Sequence, residues 1–80
     1  MREFVATFHT HLAALMTSRS LTALGVQAQM MPVPRKLSSS CGTCVRYSAQ
    51  DPNLSVMDED MEAVYESIGS EEYILLAENE

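Results

Sequence analysis

Ser55-Val-Met-Asp-Glu-Asp-Met-Glu-Ala-Val-Tyr-Glu-Ser-Ile-Gly69 is the stretch on which the fold turns. Ser55 stands where a helix N-cap would, with Asp58 at N3 as a near capping box. Asp58, Glu59 and Asp60 suit the positive end of a helix dipole. Met57, Met61, Val64, Tyr65 and Ile68 recur at helical spacing and form an apolar stripe. Gly69 ends the pattern. This spacing predicts a helix over 55–68 with a solvated acidic face. Tyr73 to Ala77, nearly continuous in apolar residues, follows as a last strand.

Upstream, residues 3–8 read as a strand. Thr10 is a plausible N-cap for a helix running to about Leu24, and Gly25 suits the C′ position. Ala14, Leu21 and Leu24 share a face with Thr17, while Leu12 and Leu15 point elsewhere. Val26-Gln-Ala-Gln-Met30 alternates as a half-buried strand does, and Pro32-Val-Pro34 ends it. Thr43 to Tyr47 reads as the next strand, and Ala49-Gln-Asp-Pro-Asn53 as a turn. The order is βαββαβ. Its simplest arrangement is an α+β, ferredoxin-like split βαβ: two helices on one face of a four-stranded antiparallel sheet. Right-handed crossovers make the first two strands parallel, with the third between them. Residues 1–80 are one domain, with the marginal core of so short a chain.

The net charge of −6 hides an asymmetry. From Phe4 to Gln50 there is no Asp or Glu, and the bases are Arg19, Arg35, Lys36 and Arg46. From Asp51 to Glu80 there are ten acids and no Lys or Arg. An acidic chain is a poor nucleic-acid binder. No apolar run reaches the ~20 residues that cross a bilayer. Met1 to Phe8 lacks the apolar block of a signal peptide, which gives a cytoplasmic expectation.

Cys41 and Cys44 then read as reactive thiols or metal ligands rather than a structural staple. The third strand runs antiparallel to the first, so its start lies at the first strand's exit. That places Cys41 near His9, His11 and the N-terminus of the first helix, where free N–H groups favour a thiolate. Ser38, Ser39 and Ser40 offer hydroxyls, Gly42 allows a close turn, and Arg35, Lys36 and Arg46 add positive charge. Cys41-Gly-Thr-Cys44 has redox spacing, but a strand follows it where a thioredoxin-like pair would open a helix. His9 and His11 with Cys41 and Cys44 are four potential zinc ligands. Plain helix-start residues are an equal reading of the histidines, and neither a metal nor a cofactor is expected. No Walker loop, dinucleotide fingerprint or supported Ser/His/Asp triad is present.

Met30-Met-Pro-Val-Pro-Arg-Lys-Leu-Ser-Ser-Ser-Cys-Gly-Thr-Cys-Val-Arg46 resembles the signature of a selenium/sulfur carrier-like family of small bacterial proteins. That signature has the form I-P-V-P-R-x-I-S-S-S-C-G, followed by a short strand ending in Arg. The match is nearly unbroken from Pro32 to Gly42. Thr10-His-Leu-Ala-Ala-Leu15 is similar to the family's helix start, and Gly25 falls in the expected place. The resemblance implies a βαββαβ fold and a carrier cysteine at Cys41. Cys44 departs from it, standing where the family usually has an apolar or small residue, and leaves a resolving thiol open.

The expectation is therefore a sulfur or selenium carrier rather than a classical enzyme. Cys41 would accept the atom from a desulfurase-like donor and relay it to an acceptor enzyme. Arg35, Ser38, Ser39, Ser40, Gly42, Cys44 and Arg46 would be the supporting residues. One alternative is a thiol–disulfide redox protein using Cys41 and Cys44. Another is a non-enzymatic module whose basic loop meets an acidic partner. Exposed Leu12 and Leu15 and an open sheet edge make a homodimer possible.

Overall fold

A computed structural model describes residues 1–79. The chain runs through β1 (Arg2–Phe8), α1 (His11–Ala23), β2 (Gln27–Pro32), β3 (Thr43–Ala49), a 3-10 turn (Leu54–Val56), β4 (Met61–Gly69) and β5 (Glu72–Glu78). The strands form one sheet in the order β2-β3-β1-β4-β5. Each neighbouring pair is antiparallel. β1 and β2 both oppose β3, so they run parallel, linked by α1 with β3 between them.

The expected two helices on a four-stranded sheet are overturned: one helix packs on five strands. The segment read as a second helix contributes only the 3-10 turn and then β4. Asp58 makes a turn rather than a helix start. Its Oδ1 accepts from the Asp60 N–H at 2.9 Å, and its carbonyl accepts from the Met61 N–H at 3.0 Å. Adjacent Ala63 and Val64 are both buried. A strand covered on both faces does this, and it erases the alternation that would have marked it. Pairing decides between the two periods, because β4 is bonded to β1 on one side and β5 on the other. The Ser70-Glu71 turn folds β5 straight back, with Glu71 at a positive φ of 59°. β4 takes the place beside β1, and β5 forms the edge of the sheet.

α1 covers one sheet face. Phe4, Ala6 and Phe8 of β1, Val45, Tyr47 and Ala49 of β3, and Val64 of β4 meet Ala13, Ala14 and Leu21 there. Small alanines let the helix sit close to the sheet, and Phe4 and Tyr47 stack with ring centroids 5.2 Å apart. Leu24, expected on the buried stripe, is exposed, as are Leu12 and Met16. Thr10 caps the helix, its Oγ1 accepting from the Ala13 N–H at 3.1 Å.

At the other helix end the Val26 N–H donates to Leu21 O and the Gly25 N–H to Thr22 O, both at 3.0 Å. This is a Schellman motif, and it holds Gly25 at φ +82°. Gly25→Ala therefore lowers stability by about 1 kcal/mol in urea unfolding, although its methyl group meets nothing. An unchanged midpoint would contradict the strain at this position.

The second face has no helix, yet Val5, Thr7, Cys44 and Ala63 on it are buried. Residues 33–42, between β2 and β3, fold across it. Val33 N–H donates to Gly42 O at 3.1 Å and closes this loop, while Leu37 N–H donates to Pro34 O at 3.0 Å inside it. Lys36 and Leu37 line one groove with Tyr65, Tyr73 and Leu75. Ser38 lines another, of about 270 Å³, with Thr7, Ala63 and Tyr65. The Ser/Cys loop is thus part of the packing of the domain.

Candidate functional site around Cys41

Antiparallel pairing of β1 with β3 sets Thr7 opposite Cys44. The residues just before β3 therefore meet the end of β1 and the first turn of α1. Ser39 Oγ donates to Phe8 O at 2.8 Å. Ser40 Oγ lies 3.4 Å from His9 Nδ1, and Thr43 Oγ1 lies 3.3 Å from His11 Nδ1. Two histidines at the start of the helix thus contact the loop on either side of Cys41. Gly42, at φ +74°, makes the turn from Cys41 into β3 in a conformation that side chains disfavour.

Cys41 is half-buried and packs on the helix-side core. Its thiol donates to Thr43 O at 3.5 Å, and Ser39 Oγ lies 3.8 Å from Sγ. Of the three serines, Ser39 is the one in contact with the sulfur. Ser38 is exposed and faces its groove. Ser40 gives both of its donors to Glu62: N–H to Oε1 at 3.1 Å and Oγ to Oε2 at 2.8 Å.

The bases lie elsewhere. Arg46 projects on the helix-free face, with Nε 3.3 Å from Glu3 Oε1. Lys36 lies by Tyr65 and Tyr73, and Arg35 is exposed on the loop. No hydrogen bond or ion pair among the described residues joins Arg35, Lys36 or Arg46 to Cys41.

Glu62 is the residue that sequence reasoning passed over, because it sat on the solvated face of the expected helix. Partial burial pushes its carboxyl up. Hydrogen bonds from Ser40 Oγ and Ser40 N–H, together with nearby His9, outweigh this and hold it below the usual glutamate range. His9 Nδ1 is 3.4 Å from Glu62 Oε2. No local period in 61–69 marks it, because the strand is buried on both faces at Ala63 and Val64 and bulged beside them.

Cys44 points to the other sheet face, fully buried, with its thiol donating to Pro32 O at 3.7 Å. Burial pushes this thiol up to about 11; Arg46 opposes the shift and Cys41 adds to it. Both cysteines are free. Among the described residues no three His, Cys, Asp or Glu side chains gather as a metal site would need. No helix among them is long and apolar enough to cross a membrane.

Over 45 residues the chain is 33% identical to the uncharacterized protein YtiA of Escherichia coli (strain K12), covering 56% of this chain and 53% of that one. The chain thus matches about half the length of that relative. No solved structure matches it. Residues 3–73, which include the whole Pro32–Gly42 run, match the family described as "Putative Se/S carrier protein-like", and the chain belongs to that family.

Proposed function

We propose that the protein is a sulfur or selenium carrier whose covalent point of attachment is Cys41. The observation that carries this reading is the half-buried Cys41 thiol beside Ser39 Oγ, flanked by Ser40 and Thr43, which contact His9 and His11 at the start of α1. The family match supports the class of cargo. In the loading step the Cys41 thiolate attacks the terminal sulfur of a donor persulfide. A new bond forms between Cys41 Sγ and that sulfur, the donor's S–S bond breaks, and the donor leaves as a thiolate. The proton that returns to the donor thiol balances the one Cys41 gave up, and no net oxidation occurs. A selenium atom transfers in the same way. The reverse displacement, by an acceptor's nucleophile, releases Cys41 as thiolate. A desulfurase-like donor and an acceptor enzyme are the partners this chemistry requires.

The dithiol alternative asks Cys44 to attack Cys41. Cys44 is sealed in the opposite face with a thiol pushed up to about 11, which disfavours it as a resolving nucleophile.

The test is intact mass after incubation with a cysteine desulfurase and either cysteine or selenocysteine. The expected result is a gain of one sulfur or one selenium atom on Cys41, removed by a reducing thiol. Loss of two hydrogens under mild oxidant, with no chalcogen adduct, would support the dithiol reading instead.

A further inference from the structure

We propose that Glu62 is the positioning residue of the cysteine loop, a carboxylate delivered by β4 that fixes Ser40 and so sets the place of the Cys41 sulfur. Three observations meet at this residue. The first is the register. β1 and β4 pair Thr7 with Ala63 but Phe8 with Met61, so the ladder shifts by one residue between them and leaves Glu62 without a partner on β1. Met61 and Val64 both pack on the helix-side core, which puts Glu62 and Ala63 between two core residues where strict alternation allows one. A bulge of this kind re-aims a side chain, and bulges recur beside functional sites.

The second is what the re-aimed carboxylate meets. It takes both donors of Ser40, at 3.1 Å and 2.8 Å, one residue before Cys41. Charge-assisted bonds of this type are stronger than neutral ones and fix geometry. The third is the anchoring of the bulge. Asn79 N–H donates to Glu62 O at 2.9 Å, Asn79 Nδ2 donates to Glu59 O at 3.0 Å, and His9 N–H donates to Asp60 O at 2.9 Å. The bulged segment 59–62 is thereby held by Asn79, just past β5, and by His9 in the β1–α1 link, and Glu62 holds the loop in turn. The charged and titratable groups around it are His9 from that link and Tyr65 and Glu78, which share its groove. The inference rests on the carrier reading only for what the positioned sulfur is used for.

The direct readout is the Ser40 amide in a two-dimensional NMR titration. Its proton donates to the Glu62 carboxylate, so its shift is expected to move with an acid midpoint below the ordinary glutamate value of about 4.3. In Glu62→Gln this transition disappears. The second readout is the alkylation rate of Cys41 by iodoacetamide. Release of the loop uncovers a half-buried thiol, so Glu62→Gln and Ser40→Ala each raise the rate about threefold, and the double variant does no more than either one. Glu66→Gln, on the same strand but paired with Arg2, leaves the rate unchanged. An invariant Ser40 amide, or equal effects from Glu62→Gln and Glu66→Gln, would overturn the assignment. Neither readout uses a sulfur donor. Failure to load sulfur would therefore sink the carrier reading and leave the role of Glu62 standing.

Discussion

Ala63→Lys is expected to remove much of the protein's stability, and Ile68→Lys almost none. Ala63 is 4% exposed, wedged between β1 and the Ser/Cys loop on the helix-free face. Lysine there must push β1 or the loop aside before its ammonium reaches the Glu62 and Glu78 carboxylates that line the same groove, and overfilling a packed strand position in this way costs about 3 kcal/mol. A domain of this size has about 4–12 kcal/mol in all. Ile68, by contrast, is 55% exposed near the end of β4, where surface changes stay within about 0.5 kcal/mol. The helical reading of the same residues forecasts the reverse, with Ile68 in the core stripe and Ala63 outside it. Far-UV circular dichroism with urea titration of both variants distinguishes the two. A stable Ala63→Lys beside a destabilised Ile68→Lys would restore the second helix.

Native protein at about pH 8 is expected to take one alkyl group, and Cys41→Ser to take none. Cys44 is sealed from solvent, and a thiol pushed up to about 11 is ionised in roughly one molecule in a thousand at that pH. Labelling therefore falls by at least about a hundredfold when Cys41 is replaced, whereas Cys44→Ala keeps the native label. In urea both cysteines react. The same burial has a pH consequence. The folded state favours the protonated Cys44 thiol, so its contribution to stability is complete below the ordinary thiol value of about 8.5. It is lost as pH climbs from there towards 11. Urea midpoints should fall across that alkaline window in the native chain and fall less in Cys44→Ala. Rapid alkylation of Cys41→Ser in the folded state would show that Cys44 is open.

The two proteins that the sequence describes, one with a second helix and one without, differ over a single segment. Residues 2–49 were legible because their signals do not compete. Thr10 caps, Gly25 stops, β2 alternates and ends at Pro32, and topology alone brings Cys41 to the exit of β1. Residues 57–68 carry two periods at once. Met61, Val64, Tyr65 and Ile68 fit a helix, while a strand buried on both faces near Ala63 and Val64 shows no alternation to argue against it. Long-range pairing with β1 and β5 settles the matter, and no local window contains it. The misreading then hid Glu62. On a helix it is one acid among several, whereas on a bulged strand it is aimed at Ser40. The basic residues failed in the opposite way. Arg46 is close to Cys41 in the chain, but it projects from the helix-free face, where Glu3 holds it.

The packing of residues 33–42 against the second sheet face sets the terms on which Cys41 meets another molecule. Many group carriers hold their cargo on a swinging arm, a tether that visits one partner after another. Here the loop that carries Cys41 also covers the domain's own interior, with Ser38 lining a groove over Thr7, Ala63 and Tyr65. To swing out, it would have to wet that interior and break the bonds of Ser39 to Phe8 and Ser40 to Glu62. On the proposed carrier reading, exchange at this sulfur would be a docking event, in which the visiting protein brings its own flexible element to a stationary thiol.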